Sequence, residues 1–214
     1  NATYIYNTNG SLASLVTNLS VTTNIYNDRN DGIIATIMNA GLSDIAYSSF
    51  EPGAKGTWTI TPAASAFTAT TKAPSGNYCL TLSAVQSVQK SGLNTGKKYV
   101  LSFWKKNGSV SVSGGTKSNE VTGVTRNGWT FYSMYLSQAT NVILTGTALL
   151  DELRLYPDEA SCTSNTYDDQ LNVTSGMGAD NIATYYEYDE LGRLKNVYDA
   201  DRNLIVSKEY KYKQ

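Results

Sequence analysis

The chain has 214 residues, 41% of them hydrophobic and only 16% charged, with a net charge of -1. That size admits one large β domain or a smaller domain with appendages, and the near-neutral balance excludes the basic footprint needed for nucleic acid or an anionic membrane. Histidine is absent, which removes the commonest general base and the commonest transition-metal ligand together, so an enzyme is not expected.

Residues 1–45 are polar and rich in Asn and Thr, with short apolar alternations at Thr3–Tyr6, Leu12–Val16 and Ile33–Met38 that predict strands. Asn7–Gly10 and Asn27–Gly32 supply turn chemistry between them. This segment has too few large apolar residues to enclose a core, so it is expected to lean on a neighbour.

From Ala46 the pattern changes to aromatic and β-branched runs separated by turn residues. Strands are predicted at Trp58–Ile60, Tyr78–Val85, Tyr99–Lys105, Ser109–Ser113, Thr130–Leu136, Val142–Thr145 and Leu149–Tyr156, with turns at PSGN, LNTGKK, KNGS, SGGTKSNE, TRNGW and SQATN. About seven strands at this spacing, with no helix between them, predict an all-β antiparallel sandwich. Cys79 and Cys162 lie in strand-like stretches without CxxC spacing, which excludes zinc and redox motifs; Cys79 reads as a free buried thiol. No apolar run reaches the roughly 18 residues that cross a bilayer, so membrane insertion is not expected. A chain opening at Asn1 reads as a piece of something larger.

The run LLDELRLYP, Leu149–Pro157, closes this unit. By period two, Leu149, Asp151, Leu153 and Leu155 share one face, and Leu150, Glu152, Arg154 and Tyr156 the other. Asp151 in a row of leucines must be neutralised, hydrogen-bonded or bound to a cation. The row Val100, Ser102, Trp104 is the more polar side of its strand, which predicts an exposed Trp104 beside Lys105 and Lys106.

The succession YSSFEPGAKGTW, SGNYCLTLS, LNTGKKYVLSFWKK, NGWTFYSMYL and LLDELRLYP resembles the landmarks of carbohydrate-binding-module-type (galactose-binding-like) jelly rolls over Tyr47–Pro157. The resemblance implies that Phe50-Glu51 and Asp151 lie side by side around a structural calcium, although Ser48 and Ser49 stand where the family has Asn or Gly, and that Trp58 and Trp129 occupy core positions. Two carboxylates would need backbone carbonyls and water to complete six to eight oxygens; a metal-free, hydrogen-bonded pair is the alternative.

Beyond Pro157, TYYEYDELGRLKNVYDADRNLIVSKEYKY resembles a YD repeat of the Rhs family, carried by Tyr188, Asp189, Gly192, Arg193, Leu194, Asp199, Asp201, Asn203, Tyr210 and Tyr212. A degenerate copy precedes it, with Tyr167-Asp168 aligned to Tyr188-Asp189 at a register of 21 residues (189 − 168). Such a period signals stacked hairpins that are not stable singly. The expected organisation is therefore 1–45, a strand-rich flank; 46–157, the jelly-roll sandwich; and 158–214, YD-repeat hairpins running away from it.

The combination resembles large surface or secreted Rhs-type proteins of Bacteroidetes-like bacteria. It implies an extracellular or cell-surface structural and interaction module whose partners are further YD repeats of the parent chain. The alternative is a carbohydrate-binding module that stacks a glycan on Trp104, Tyr132 and Tyr135. Glycoside hydrolysis would require two carboxylates across a cleft, and Glu51 and Asp151 have a better structural explanation.

Overall fold

A computed structural model describes residues 2–18, 20–63 and 67–211; Tyr212 of the repeat-like motif lies outside the described residues. In chain order, β1 (Ala2–Tyr6), β2 (Leu12–Thr17), β3 (Val21–Tyr26) and β4 (Ile33–Met38) form an antiparallel meander. There follow β5 (Ala46–Ser48), β6 (Thr59–Thr61), β7 (Thr68–Ala69), β8 (Tyr78–Leu82), β9 (Ser87–Ser91), β10 (Lys98–Ser113), β11 (Thr116–Arg126), β12 (Trp129–Ser137) and β13 (Asn141–Pro157). The chain then returns through β14 (Ser161–Tyr167), β15 (Val173–Met177), β16 (Ala183–Tyr188), β17 (Leu194–Tyr198) and β18 (Leu204–Ser207).

The described residues form two antiparallel sheets of nine strands each, an all-β, sandwich-like arrangement. The first sheet has the order β1-β2-β3-β4-β14-β15-β16-β17-β18, so it is built from both ends of the chain. Its seam is the β4–β14 pair, with Ile37 opposite Cys162 and Ala35 opposite Ser164. The two flanks that the sequence separates are thus one continuous sheet, and residues 46–157 are inserted between its halves. Ile25, Ile34 and Ile37 of this sheet meet Tyr47 and Tyr156 of the other across an apolar layer. Each side chain of that size contributes about 1.5–3 kcal/mol on burial, which offsets the lack of a separate core in either flank.

The second sheet is centred on β13. One edge of β13 pairs with β10, and the other pairs in succession with β9, β8 and β5. The sheet wraps a core that includes Trp58, Leu80, Leu101, Phe103, Leu150 and Leu153. Tyr99–Lys105 and Ser109–Ser113 prove to be one strand. The intervening KNGS is a bulge, with Asn107 at φ 58° and Gly108 at φ 53°, where the register slips against β13. A Cβ on Gly108 would fall 1.5 Å from the Thr147 carbonyl oxygen, so this close approach of backbones requires glycine. Val142–Thr145 and Leu149–Tyr156 likewise merge into β13. The edge strand β11 was not legible as a strand because TKSNEVTGVTR is exposed along nearly its whole length and has no apolar alternation.

The C-terminal hairpins form, but they do not run away from the sandwich. The Arg202 guanidinium lies over the Tyr185 ring and donates to the Ala73 carbonyl (3.1 Å), and Arg126 pairs with Asp201 at 3.1 Å. The Tyr185 hydroxyl donates to the Pro74 carbonyl (2.9 Å).

Candidate functional site

The acidic pair set into β13 sits on a bulge. Glu152 has φ 49°, and the register against β10 jumps from Ser102↔Arg154 to Trp104↔Asp151, so the period-two alternation breaks there. Leu150, Leu153 and Leu155 therefore all enter the sandwich core, while Glu152, Arg154 and Tyr156 turn toward the first sheet. The expectation that Asp151 shares a face with Leu153 and Leu155 fails for this reason.

Asp151 is completely buried. Its Oδ2 accepts the Ser75 N–H (2.9 Å) and its Oδ1 accepts the Glu152 N–H (2.8 Å). Glu51, also buried, accepts the N–H groups of Asn77 (2.9 Å) and Tyr78 (2.8 Å) on Oε1. Both carboxylates converge on one segment, residues 73–78, and grip it by its backbone. Phe50, at φ 59°, makes the turn that sends its ring into the core and Glu51 toward that segment. Gly76 must be glycine, because a Cβ there would lie 2.3 Å from Glu51 Oε1. Burial pushes the Glu51 carboxyl up to about 7 and the Asp151 carboxyl well above its usual range, with the neighbouring Glu152 carboxylate adding to the latter.

N–H groups already point at Glu51 Oε1 and at both Asp151 oxygens, so these oxygens have hydrogen-bond partners within the chain. Among the described residues no group of three or more Cys, Asp or Glu side chains is placed to hold a metal ion.

Beside Asp151 lies a network that the sequence did not single out. Arg154, with no exposed surface, donates Nε and Nη2 to Glu152 Oε2 (3.0 and 2.9 Å), and Nη2 also donates to Ser164 Oγ (2.8 Å). Its Nη1 donates to the carbonyls of Cys162 and Gly178, both at 3.1 Å. The Tyr47 hydroxyl donates to Glu152 Oε1 (2.8 Å). Burial works against the Arg154 charge, but the Glu152 carboxylate prevails and raises its pKa; burial and the same carboxylate raise that of Tyr47. The network pins the bulge of β13 to β14 and to the turn after β15. The available signal was a Glu-x-Arg pair inside a leucine-rich strand, two charges that must meet partners when buried.

The aromatic candidates are placed differently from expectation. Trp58 and Trp129 are buried as expected, with Trp58 Nε1 donating to the Leu153 carbonyl (3.0 Å). Trp104 is not exposed: only 3% of its surface is accessible, against Cys79 and Trp129. In the more polar row of β10, Val100 packs against the isoleucine layer of the first sheet, and Trp104 packs on Cys79, Trp129, Phe131 and Leu149 while lining one small space with Met177, Ala183 and Tyr185 of the first sheet. Tyr132 and Tyr135 are half-buried. Tyr132 stacks on Phe103 at 5.7 Å, with Lys105 Nζ over its ring at 5.1 Å; Lys98 Nζ lies over Tyr135 at 4.6 Å. A groove of about 390 Å³ opens beside Tyr132, Val110 and Met134.

In the C-terminal hairpins the motif residues build a five-residue turn. Asp189 Oδ1 accepts the N–H groups of Leu191 (3.0 Å) and Arg193 (2.9 Å), while Oδ2 accepts Arg193 Nε (2.8 Å). Gly192 takes φ 72°, and Leu194 begins β17 while Tyr188 ends β16 and donates to the Val173 carbonyl. The same turn recurs at Asp168 and at Asp199, where Asn172 and Asn203 replace Arg193 and Leu171 and Arg202 take the positive φ. Arg193 also lies over the Tyr210 ring, 4.2 Å from its centre.

The fold and these sites define an all-β protein of two antiparallel sheets whose buried charges are engaged in holding the sheets together. Neither a protein-family model nor a curated protein matches the sequence.

Proposed function

We propose that the chain is a non-catalytic structural and interaction module of a large surface or secreted Rhs-type YD-repeat protein, with a jelly-roll sandwich seated on a sheet of stacked hairpins. The observation that carries this reading is the five-residue aspartate turn at Asp168, Asp189 and Asp199, in a sheet whose two edge strands carry no charged residue and, among the described residues, have no further strand beside them. β1 reads ATYIY and β18 reads LIVS, and every residue of both is exposed. Natural edges usually carry Lys, Pro or a covering element. Two bare apolar edges on one sheet fit further hairpins of the same kind from the parent chain on either side. Glu51 and Asp151 enter as hydrogen-bonded carboxylates of the jelly roll, in place of the calcium pair that the resemblance implies.

Copies of the chain can take the place of the proposed neighbours, so sedimentation velocity tests the reading. Concentration-dependent association is expected for the chain, and Ile5→Lys with Ile205→Lys is expected to return it to a monomer. A strictly monomeric chain with its wild-type edges would count against open, pairing-competent strands.

The glycan reading keeps one favourable observation, the open groove beside Tyr132. Against it, Trp104 is shielded and lysines sit over the Tyr132 and Tyr135 rings. Saturable oligosaccharide binding that Tyr132→Ala abolishes would favour it over the scaffold reading.

A further inference from the structure

Tyrosines that close strands of the first sheet repeat one contact along it. Tyr26 ends β3, and its hydroxyl donates to the carbonyl of Leu12, the first residue of β2 (3.0 Å). Tyr167 ends β14 and donates to Ile33, the first residue of β4 (2.7 Å). Tyr188 at the end of β16 does the same to Val173 at the start of β15 (3.0 Å), and Tyr210, just past β18, to Leu194 at the start of β17 (2.8 Å). In each case the accepting strand lies antiparallel beside the tyrosine's own. Leu12, Ile33, Val173 and Leu194 each stand two residues outside the last ladder pair between the two strands, which involves Ser14, Ala35, Ser175 and Asn196 respectively. The hydroxyl thus reaches a carbonyl that the ladder leaves over, and a backbone acceptor at that place needs a donor.

Every accepting residue directly follows a turn opened by Asn or Asp: Asn7–Ser11, Asn27–Gly32, Asp168–Asn172 and Asp189–Arg193. The first of these has the backbone bonds of the aspartate turns, from the Asn7 N–H to the Ser11 carbonyl (2.8 Å) and from the Gly10 N–H to the Asn7 carbonyl (2.9 Å), with Gly10 at φ 87°. Strand β1 belongs to the same series. It ends in Tyr6-Asn7 as β3, β14 and β16 end in Tyr26-Asn27, Tyr167-Asp168 and Tyr188-Asp189. Tyr6 stands opposite Leu12 as Tyr26 stands opposite Ile33, Tyr167 opposite Val173 and Tyr188 opposite Leu194. Yet Tyr6 is 59% exposed, and among the described residues its hydroxyl has no partner and β1 has no strand on its other side. The β18 edge differs, because its tyrosine, Tyr210, already bonds Leu194.

We propose that the β1 edge docks an antiparallel strand that directly follows an Asn/Asp turn, and that Tyr6 sets its register by donating to the carbonyl of that strand's first residue. The partner is a further hairpin unit of the kind the sheet already contains; this rests on the repeat reading above and adds which edge receives the unit and in which alignment. An exposed hydroxyl is served by water, so what points to a partner is the recurrence of the contact at four other tyrosines and not a penalty at Tyr6. A slip of one residue would turn every side chain of the docked strand to the other face, and the short uncharged edge ATYIY has no charge pair to prevent it.

The test supplies such a strand on the full chain. A second copy of residues 168–182, which holds the Asp168 turn, β15 and the turn after it, is fused ahead of Asn1. Tyr188 lies six residues after Ile182 (188 − 182), and Tyr6 becomes the sixth residue after the graft, so β1 can take the place of β16. Amide hydrogen exchange in β1 is followed by NMR in the parent, in this fusion, in a fusion with the same residues scrambled, and in the first fusion carrying Tyr6→Phe. Exchange is expected to slow about tenfold or more in the ordered fusion alone, and Tyr6→Phe is expected to speed it again by about 2- to 12-fold, the share of one net hydrogen bond. Tyr6 is exposed and Phe keeps its ring, so the variant keeps the fold. No slowing in the ordered fusion, equal slowing in the scrambled one, or a Tyr6→Phe fusion indistinguishable from its parent fusion would each overturn the proposal. If it fails in one of these ways while the unfused chain still associates through its edges, the repeat reading stands without it.

Discussion

Replacing Arg154 with Met removes a guanidinium that makes five N–H···O contacts: two to Glu152, one to Ser164 and two to the Cys162 and Gly178 carbonyls. Met fills much of the same volume, so the loss is electrostatic and not a cavity. Glu152, 1% exposed, would keep only the Tyr47 and Ser164 hydroxyls. Breaking one side of a buried pair costs about 3–5 kcal/mol, because the remaining charge is uncompensated. At about 2–4 °C per kcal/mol for a chain of this size, the midpoint should fall by roughly 6–20 °C. Adding Glu152→Gln to Arg154→Met removes that orphaned charge and should recover part of the loss. Thermal and urea unfolding followed by far-UV circular dichroism and tryptophan fluorescence are the assays. The network crosses from β13 to β14, so both probes should report one transition. A single variant within about 0.5 kcal/mol of the parent, the range of ordinary surface changes, would refute the reasoning.

Stability should fall as pH rises from about 4.5 to 7. Glu51 has its folded pKa raised from 4.5 to about 7, so its contribution is full below 4.5 and is lost through 7, a loss of about 3 kcal/mol. Asp151, also raised, acts in the same direction; urea titrations at pH 5 and 8 should differ in the parent and differ by less in Glu51→Gln. Because the carboxylates are held by N–H groups, melting curves with and without chelator should superimpose. A bound calcium at a hundredfold excess over its dissociation constant would add about 2.7 kcal/mol, and a chelator-sensitive melt would contradict the hydrogen-bonded pair. The isolated segment Asp158–Gln214 should not fold, since its Cys162 and Tyr167 pack on Ile34 and Tyr47 of other segments; a dispersed amide spectrum from it would show otherwise.

Alternation and turn chemistry determined the strands and their class. Thr3–Tyr6, Leu12–Val16 and Ile33–Met38 announce β1, β2 and β4, and the Asp-x-x-Gly-Arg turn announces the β16–β17 hairpin, because both signals are local. KNGS reads as a turn for the same reason: a bulge and a hairpin use the same left-handed residues, and only the partner strand decides between them. At Glu152 one residue at positive φ reversed the faces of Leu153 and Arg154, an effect that no period of two contains. Glu51 and Asp151 were legible as a converging pair, yet the N–H groups that hold them come from residues 73–78, whose path depends on the whole sandwich. Trp104 shows the limit most plainly. Its own strand made Val100, Ser102 and Trp104 the polar and therefore solvent-facing row; what covers that row is a sheet assembled from β1–β4 and β14–β18. The sequence by itself determined which segments extend and where they turn. Only the tertiary structure decided which faces meet, because burial is a relation between segments many tens of residues apart and no one of them encodes it.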